Sequence, residues 1–338
     1  MRLEIPVSPP TLSRQRERES FPRGADVKAV RVHAFNQPPR LEQIDAPVAG
    51  AGRSLVRMRA ATVGHIDRTI WSGAFLRHPQ LPYVPGVEAA GIVVAGDRFA
   101  AGTRVWLRGG GLGTRGDGTW RELIDAPDEA LGALPDALPF AFGSAFFSPC
   151  TSAWVALHEV ARLDAGERVL VSGASGAVGG VTVQLALEAG AQVFAVLADA
   201  AQAASLPPGA EAVIVGRAAP APPASLEVDV LIDAVGGALL QALLPCVVPG
   251  GRAVLVGYTG GSALALDLAQ FVQRDVALLP LNMLRRDAAG RAVAPELLAR
   301  LADGRLHLEV SEFPLAEAAR AMQWIGSRGH RGRAVLVP

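Results

Sequence analysis

Two patterns of hydrophobic positions divide the chain. Between about residues 27 and 125, apolar residues come in short alternating or glycine-punctuated runs: Lys28-Ala-Val-Arg-Val32, Ser54-Leu-Val-Arg-Met58, Gly91-Ile-Val-Val94 and Thr103-Arg-Val-Trp106. Turn-forming clusters separate them, including Gln37-Pro-Pro39, Gly50-Ala-Gly52 and Gly109-Gly-Gly111. Short strands with turns at such intervals predict a β-rich domain. From residue 168 the runs become continuous: Arg168-Val-Leu-Val171, Gln192-Val-Phe-Ala-Val-Leu197, Ala212-Val-Ile-Val215, Val230-Leu-Ile-Asp233 and Ala253-Val-Leu-Val256. Strands buried on both faces read this way. Val178, Val181, Leu185 and Ala189 recur at helical spacing before Gly190, and a second helix is predicted over residues 239–247, closed by Pro249-Gly-Gly251. Strands alternating with helices predict a doubly wound parallel sheet. Residues 278–338 return to mixed character, with Arg333-Ala-Val-Leu-Val337 as a last strand in the sheet of the first domain.

Composition narrows the classes of function. A chain of 338 residues, half of them hydrophobic, accommodates about two cored domains. With 32 basic and 32 acidic residues the net charge is zero, which gives no electrostatic reason to expect nucleic acid or an anionic membrane as partner. Cys150 and Cys246 are the only cysteines, too few for a disulfide framework or a four-thiolate zinc site. Residues 1–25 carry the mixed-sign run Arg14-Gln-Arg-Glu-Arg-Glu19 and no apolar stretch of a secretory signal, so a flexible tail and a cytoplasmic location are expected. Residues 169–198 are apolar enough to suggest a membrane span, but their glycine clusters and changing periodicity favour strand, helix and strand.

The chemistry of the chain is concentrated in Gly173-Ala-Ser-Gly176-Ala-Val-Gly179, set between a predicted strand and a predicted helix. A dinucleotide pyrophosphate needs close backbone approach, free N–H donors and the positive end of a helix. Gly173 would form the tight turn, Gly176 admit the phosphates and Gly179 let helix and strand pack closely. At the end of the next strand an acidic residue would bind ribose hydroxyls, whereas a nearby cation would hold a 2′-phosphate. Leu197 occupies the usual acidic position. Asp199 is placed either to bind a ribose or to cap the following helix, and Arg217 is placed to reach a 2′-phosphate. These residues leave NADPH and NADH both open.

Several ordered segments resemble the medium-chain dehydrogenase/reductase superfamily, and within it the zinc-free quinone oxidoreductase branch that includes zeta-crystallin. They are Leu81-Pro-Tyr-Val-Pro-Gly-Val-Glu-Ala-Ala-Gly-Ile-Val93, Gly118-Thr-Trp-Arg-Glu-Leu123, Thr151-Ser-Ala-Trp-Val-Ala-Leu-His158, the glycine turn, Asp233-Ala-Val-Gly-Gly237 and Gly332-Arg-Ala-Val-Leu336. The resemblance implies an α/β protein in which a Rossmann domain (148–277) is inserted into a GroES-like β-rich catalytic domain (26–147 and 278–338). It also implies hydride transfer from NADPH to a quinone or an α,β-unsaturated carbonyl, in a homodimer joined through the outer strand of the nucleotide sheet near residues 254–266. Zinc-dependent relatives have a Cys three residues before an Asp, and the His of a Gly-His-Glu triplet. Here those places hold Gly64, before Asp67, and Val87, before Glu88, so no zinc is expected.

Without metal, the protein contributes positioning, desolvation and a donor near the developing negative oxygen. By resemblance the substrate pocket would draw on Gly64, Asp67, Trp71, Phe75 and Trp120. Asp67 reads as a turn-fixing residue, and the aromatic side chains as a wall. His65 is the candidate proton donor, its ordinary pKa being close to neutrality. Thr151, Gly257 and Tyr258 would flank the nicotinamide. Ser175, Ala177, Val178, Ala234, Val235 and Arg333 would complete the cofactor contacts. Cys150 reads as a small buried residue. Two other functions compete: a nucleotide-binding protein with a structural or regulatory role, and a zinc alcohol dehydrogenase.

Overall fold

The computed structural model describes residues 26–75, 77–216, 220–327 and 330–338. The tail expected at 1–25 and Arg217 lie outside the described residues. In chain order, the first half contains β1 (Asp26–Arg31), β2 (Arg40–Asp45), β3 (Arg53–Val63), α1 (His65–Trp71), β4 (Glu88–Ala95), β5 (Arg104–Arg108), β6 (Leu123–Pro127), β7 (Leu131–Ala133) and α2 (Phe140–Ala145). A π-helical turn, Phe147–Thr151, leads into α3 (Ser152–Val155). The second half runs through β8 (Arg168–Val171), α4 (Ala177–Glu188), β9 (Gln192–Leu197), β10 (Ala210–Ile214), β11 (Val228–Asp233), α5 (Gly237–Leu243), β12 (Val247–Leu255), α6 (Leu268–Arg274) and β13 (Ala277–Pro280). It ends with α7 (Asp287–Ala302), β14 (Val310–Pro314), α8 (Ala318–Gly326) and β15 (Arg333–Val337).

These strands form two main sheets. One has the order β14-β15-β3-β4-β5-β7, with β6 also on β3, and the C-terminal strand β15 pairs antiparallel with β3 as Ala334 opposite Val63. The other is entirely parallel, in the order β10-β9-β8-β11-β12-β13. Its first strand, β8, lies inside the sheet, so the chain winds outward to one side through β9 and β10 and to the other through β11, β12 and β13. The direction of winding reverses between β8 and β11, and in such sheets ligands bind outside the carboxyl ends of the strands at that reversal.

Two expectations about this half need correction. The helix read over 239–247 ends earlier, because α5 stops at Leu243 and a 3₁₀ turn at Leu244–Cys246 leads into β12 at Val247. Pro249-Gly-Gly251 lies within β12, where the register to β11 jumps from Val228–Val247 to Val230–Arg252 and Gly250 adopts φ +79°. Such an irregularity suits Pro and Gly because it needs no ladder bond and permits a left-handed residue. The parallel sheet also continues through β13 to Pro280, past the boundary drawn at 277. Pairing with β12, which local pattern cannot reveal, recruits this short strand.

A single apolar cluster joins the sheets. Ala60, Ala90 and Trp106 of the mixed sheet meet Val169, Val171 and Val193 of the parallel sheet through Phe146, Phe147 and Cys150, all buried. The segment just before α3 is therefore the packed joint between the halves. Among the described residues, no helix is long and apolar enough to cross a membrane. Phe146 is fully buried, its ring 5.6 Å from that of Trp106 and 5.9 Å from that of Phe147. Phe146→Ala should lower the unfolding free energy by about 3–5 kcal/mol, read as a lower urea midpoint. An unchanged midpoint would show that this joint does not carry the core.

Candidate active site

The first part of the site lies at the carboxyl ends of β8 and β11. Gly173 turns the chain at φ +61°, a conformation that disfavours a side chain. A Cβ on Gly179 would sit 2.2 Å from the Gly173 carbonyl oxygen, so only glycine lets α4 start this close to the strand. Gly176 caps α4 without a side-chain hydrogen bond, so the first-turn N–H groups of Ala177, Val178 and Gly179 face outward without a side-chain acceptor at the cap. Across the winding reversal, Asp233 is fully buried and accepts hydrogen bonds from Ser172 Oγ (2.5 Å) and the Gly236 N–H (2.7 Å). Burial raises its pKa, while the bonds from Ser172, Gly236 and Val235 oppose the rise. The Ala234 N–H donates to the same Ser172 hydroxyl at 2.9 Å, and Val235 stands against Gly173, where a Cβ would meet its Cγ2 at 2.8 Å. Gly257 follows, its N–H donating to the Asp233 carbonyl at 3.2 Å, and the next residue, Tyr258, is exposed.

A bare helix N-terminus between two glycine-narrowed turns fits a dinucleotide pyrophosphate. Ser175 accepts from Gln202 Nε2 at 3.2 Å, linking the glycine turn to the end of β9. Asp199 is exposed there and caps the next turn by accepting from the Ala201 N–H at 2.9 Å. Arg331, from the segment before β15, donates to Ser205 and so brings a cation to this edge that sequence order did not suggest.

The second part lies across one end of the seven-stranded mixed sheet, where four adjacent strands place their terminal residues in a row. Arg333 begins β15, Gly64 follows β3, Glu88 begins β4, and Arg108 ends β5 directly opposite Glu88. Glu88 is 1% exposed. One of its oxygens accepts from the Ser148 N–H (2.8 Å) and hydroxyl (2.6 Å) and lies 3.9 Å from Arg108 Nε, while the other accepts from Arg333 Nη2. Arg333, expected among the cofactor contacts, donates from Nη2 to Glu88 beside Gly64. Thr151 is buried, with its hydroxyl donating to the Phe147 carbonyl at 2.6 Å.

Gly64 caps α1 with an extended backbone (φ −121°, ψ 168°), and its N–H donates to Asp67 Oδ2 at 2.7 Å, which makes Asp67 the turn-fixing residue. Asp67 is almost fully buried and its Oδ1 has no partner. Burial pushes its pKa up to about 7; the Gly64 N–H opposes this, Glu88 adds to it, and Arg333 and Arg108 oppose it. His65, the candidate proton donor, is exposed at the start of α1. Surrounding protein disfavours the charged ring, and His330, Arg333 and Arg68 add positive charge, lowering its pKa to about 4. The ring is therefore neutral at pH 7. Trp120 is also misplaced as a pocket wall. It is fully buried in the β core and donates from Nε1 to the Thr62 carbonyl at 3.0 Å. Trp71, which donates to the Gln37 carbonyl at 2.6 Å, and Phe75 remain half-buried beside Ile70 and Val87.

Neither position that would have to supply metal ligands offers one. Gly64 has no side chain, and Val87 is buried with Val32, Ile70 and Tyr83. Among the described residues, no three His, Cys, Asp or Glu side chains converge on a common point. Gly64 and Val87 thus give a zinc ion no donor at these two places. Glu88, Ser148, Arg108 and Arg331 were missed as site residues. Glu88 lay within a quoted motif, but its burial and its partner 245 positions away had no local signal.

Asp67 makes stability depend on pH. Its folded pKa of about 7 exceeds the ordinary 3.8, so in that window the native state holds a proton that the unfolded chain releases. Stability should fall as pH rises from about 4 to about 7 and then level off. Asp67→Asn should lose this slope, as measured by urea midpoints across the window. Parallel profiles for the two proteins would contradict the raised pKa.

Residues 50–136 match the alcohol dehydrogenase GroES-like domain family, and residues 208–336 match the zinc-binding dehydrogenase family. The chain is 29% identical to quinone oxidoreductase of Mus musculus over 330 residues, covering 92% of this chain and 98% of that protein. It is 32% identical to quinone oxidoreductase of Lama guanicoe over 251 residues, covering 69% of this chain and 74% of that protein. The crystal structure of Pseudomonas syringae pv. Tomato DC3000 quinone oxidoreductase shares the fold, with a TM-score of 0.80 at 24% identity, covering 92% of this chain and 100% of that one. With the two sheets, the glycine turn at the winding reversal and these relatives taken together, the chain belongs to the quinone oxidoreductase branch of the medium-chain dehydrogenase/reductase superfamily, and it is an oxidoreductase.

Proposed function

We propose that the protein is a zinc-independent reductase that takes hydride from NADPH and delivers it to a quinone or an α,β-unsaturated carbonyl. The observation that carries this reading is the bare N-terminus of α4 between Gly173 and Val235 at the winding reversal. Bound there, a reduced nicotinamide would supply the hydride. Ala177, Val178 and Gly179 would hold its pyrophosphate through backbone N–H groups, and Ser175 and Asp199 would lie toward the adenosine ribose. Thr151, Gly257 and Tyr258 would face its nicotinamide half. The choice of NADPH over NADH rests on the family and on the cation brought in by Arg331. Gly64 and the apolar, buried Val87 support the metal-free reading.

The chain is further proposed to form a homodimer. Of the stretch expected at its interface, residues 254–266, Val254 and Leu255 end β12, which is paired with both β11 and β13, and the rest follows that strand. Among the described residues β13 is the outer strand on the β12 side, and Leu268 and Val272, one turn apart on the neighbouring α6, are 71% and 67% exposed. An apolar pair this open beside a sheet edge suits contact with a second copy. Light scattering should give twice the chain mass, and Val272→Glu should shift it toward the monomer. A wild-type monomer at micromolar concentration would rule the dimer out.

Gly179→Val should abolish NADPH binding, because its side chain would collide with the Gly173 carbonyl. Quenching of intrinsic fluorescence by NADPH measures this. The wild type should oxidise NADPH with a simple quinone or enone, keep its rate after chelation and contain no stoichiometric zinc. Failure to bind NADPH would remove the reductase reading, and zinc required for turnover would remove its metal-free part.

A further inference from the structure

A cavity of about 350 Å³ opens beside the loop that joins β5 to β6, and no residue of the candidate active site lines it. That volume falls within the range of small-molecule sites, about 300–1,000 Å³. The walls are rich in charge. Arg53 at the start of β3, Arg115 in the loop and Arg121 just before β6 bring three guanidinium groups, against the carboxylates of Asp117 and Asp125. The balance is one net positive charge.

The hydrogen bonds show which of these groups lack a partner. Asp125 is engaged, since its two oxygens accept from Arg53 Nε at 2.8 and 2.9 Å. Asp117 Oδ1 accepts from the Val84 N–H at 2.8 Å. Arg121 is only 6% exposed, yet among the described residues its guanidinium makes one hydrogen bond, a long one of 3.4 Å from Nη2 to the Asp125 carbonyl. Nη1 stands 3.7 Å from Asp117 Oδ2, beyond hydrogen-bond reach. Nε is sealed in protein without a partner, whereas Nη1 is not sealed, and the cavity that Arg121 lines is where it opens.

The loop adds further donors. Arg115 is exposed, and among the described residues no acceptor engages its guanidinium. A Cβ on Gly111 would lie 3.2 Å from Arg115 Nε, so this side chain lies across the loop backbone. Among the described residues the N–H groups of Gly110 and Gly111 are not donated to any acceptor. Burial disfavours the charge on Arg121; Asp117 and Asp125 oppose this, and Arg53 adds repulsion. The surplus is thus of donors and of positive charge, and buried donors left unmatched call for an acceptor.

We infer that this cavity is a binding site for a small organic phosphate, held by Nη1 of Arg121 and the guanidinium of Arg115, with the Gly110 and Gly111 N–H groups beside them. A phosphate is negative, accepts from several directions at once and forms charge-assisted bonds to guanidinium groups. A cation would meet opposing charge here, and an apolar molecule would leave Arg121 unmatched. The phosphate group takes up part of the cavity, and the organic part fills the remainder. The site is separate from the glycine turn and does not rest on the reductase reading.

Calorimetric titration with phenyl phosphate tests this, with benzoate as its carboxylate counterpart and NADPH as competitor. The wild type should bind one phenyl phosphate per chain that NADPH does not displace, and should bind benzoate more weakly. Arg115→Gln should weaken phenyl phosphate about tenfold. That side chain is exposed and unpartnered, so the variant should keep the wild-type urea midpoint. Arg121→Lys keeps the charge but loses the fork, and it should also weaken phenyl phosphate. Displacement by NADPH, or equal affinity in wild type and Arg115→Gln, would place the phosphate elsewhere and overturn the inference. Absence of saturable binding at millimolar phenyl phosphate, or benzoate bound as tightly, would overturn it as well.

Discussion

Glu88 is a carboxylate almost wholly removed from water, and its need for partners organises one end of the molecule. A buried charge without matching groups costs several kcal/mol, so the surrounding backbone must deliver donors to it. They arrive from three directions: Arg108 across the β4–β5 ladder, Ser148 from the turn before α3, and Arg333 from the C-terminal strand. Residues 60 and 245 positions away in sequence thus converge on one side chain. The return of β15 to pair with β3 satisfies a polar core group as well as closing a sheet. Through Ser148 the same carboxylate reaches the segment that packs both sheets together.

That segment explains how a phosphate-binding turn and a polar strand-end row can act as one site. The glycine turn is governed by close approach: Gly179 admits the helix, and Asp233 with Ser172 ties the turn after β11 to the turn after β8. The strand-end row is governed by charge. Phe147–Thr151 lies between them, with Phe147 and Cys150 in the joint core, Ser148 on Glu88 and Thr151 bonded back onto its own turn. Five residues therefore serve packing, electrostatics and the proposed nicotinamide wall together. A π-helical turn suits such a place, because widening the helix by one residue redirects side chains that a regular helix would align.

The features legible in the sequence were those encoded by neighbours in the chain. Continuous Val, Ile and Leu runs marked β8, β9, β11 and β12, and the glycine spacing marked the start of α4. Strands without such runs escaped: β2 is polar and alternates weakly, β7 has three residues, and β13 owes its state to β12. In the site, Gly64 and Val87 could be read because they are departures at known spacings. The state of His65 could not, since His330 and Arg333 approach it from the far end of the chain. Trp120 offered an aromatic side chain near a glycine-rich motif, and only its bond to Thr62 shows that it belongs to the core. Asp199 left two readings open because a cap and a ribose contact use the same residue type at the same strand end.

The inventory of groups also separates the directions of redox chemistry open to this cleft. Alcohol oxidation must first remove a hydroxyl proton, a task that a metal eases by stabilising the alkoxide or that a strong base performs. Here Gly64 and Val87 give a metal no donors, His65 has lost basicity, and Asp67 lies buried with its carboxyl turned onto Gly64. Reduction of a conjugated carbonyl makes a different demand. Negative charge develops on oxygen only as hydride arrives, and the proton that follows can come from water. A guanidinium cannot generate an alkoxide as a metal does, because it accepts no lone pair into its own coordination sphere, but it can stabilise charge that appears beside it. The groups at this strand-end row therefore suit reduction better than alcohol oxidation.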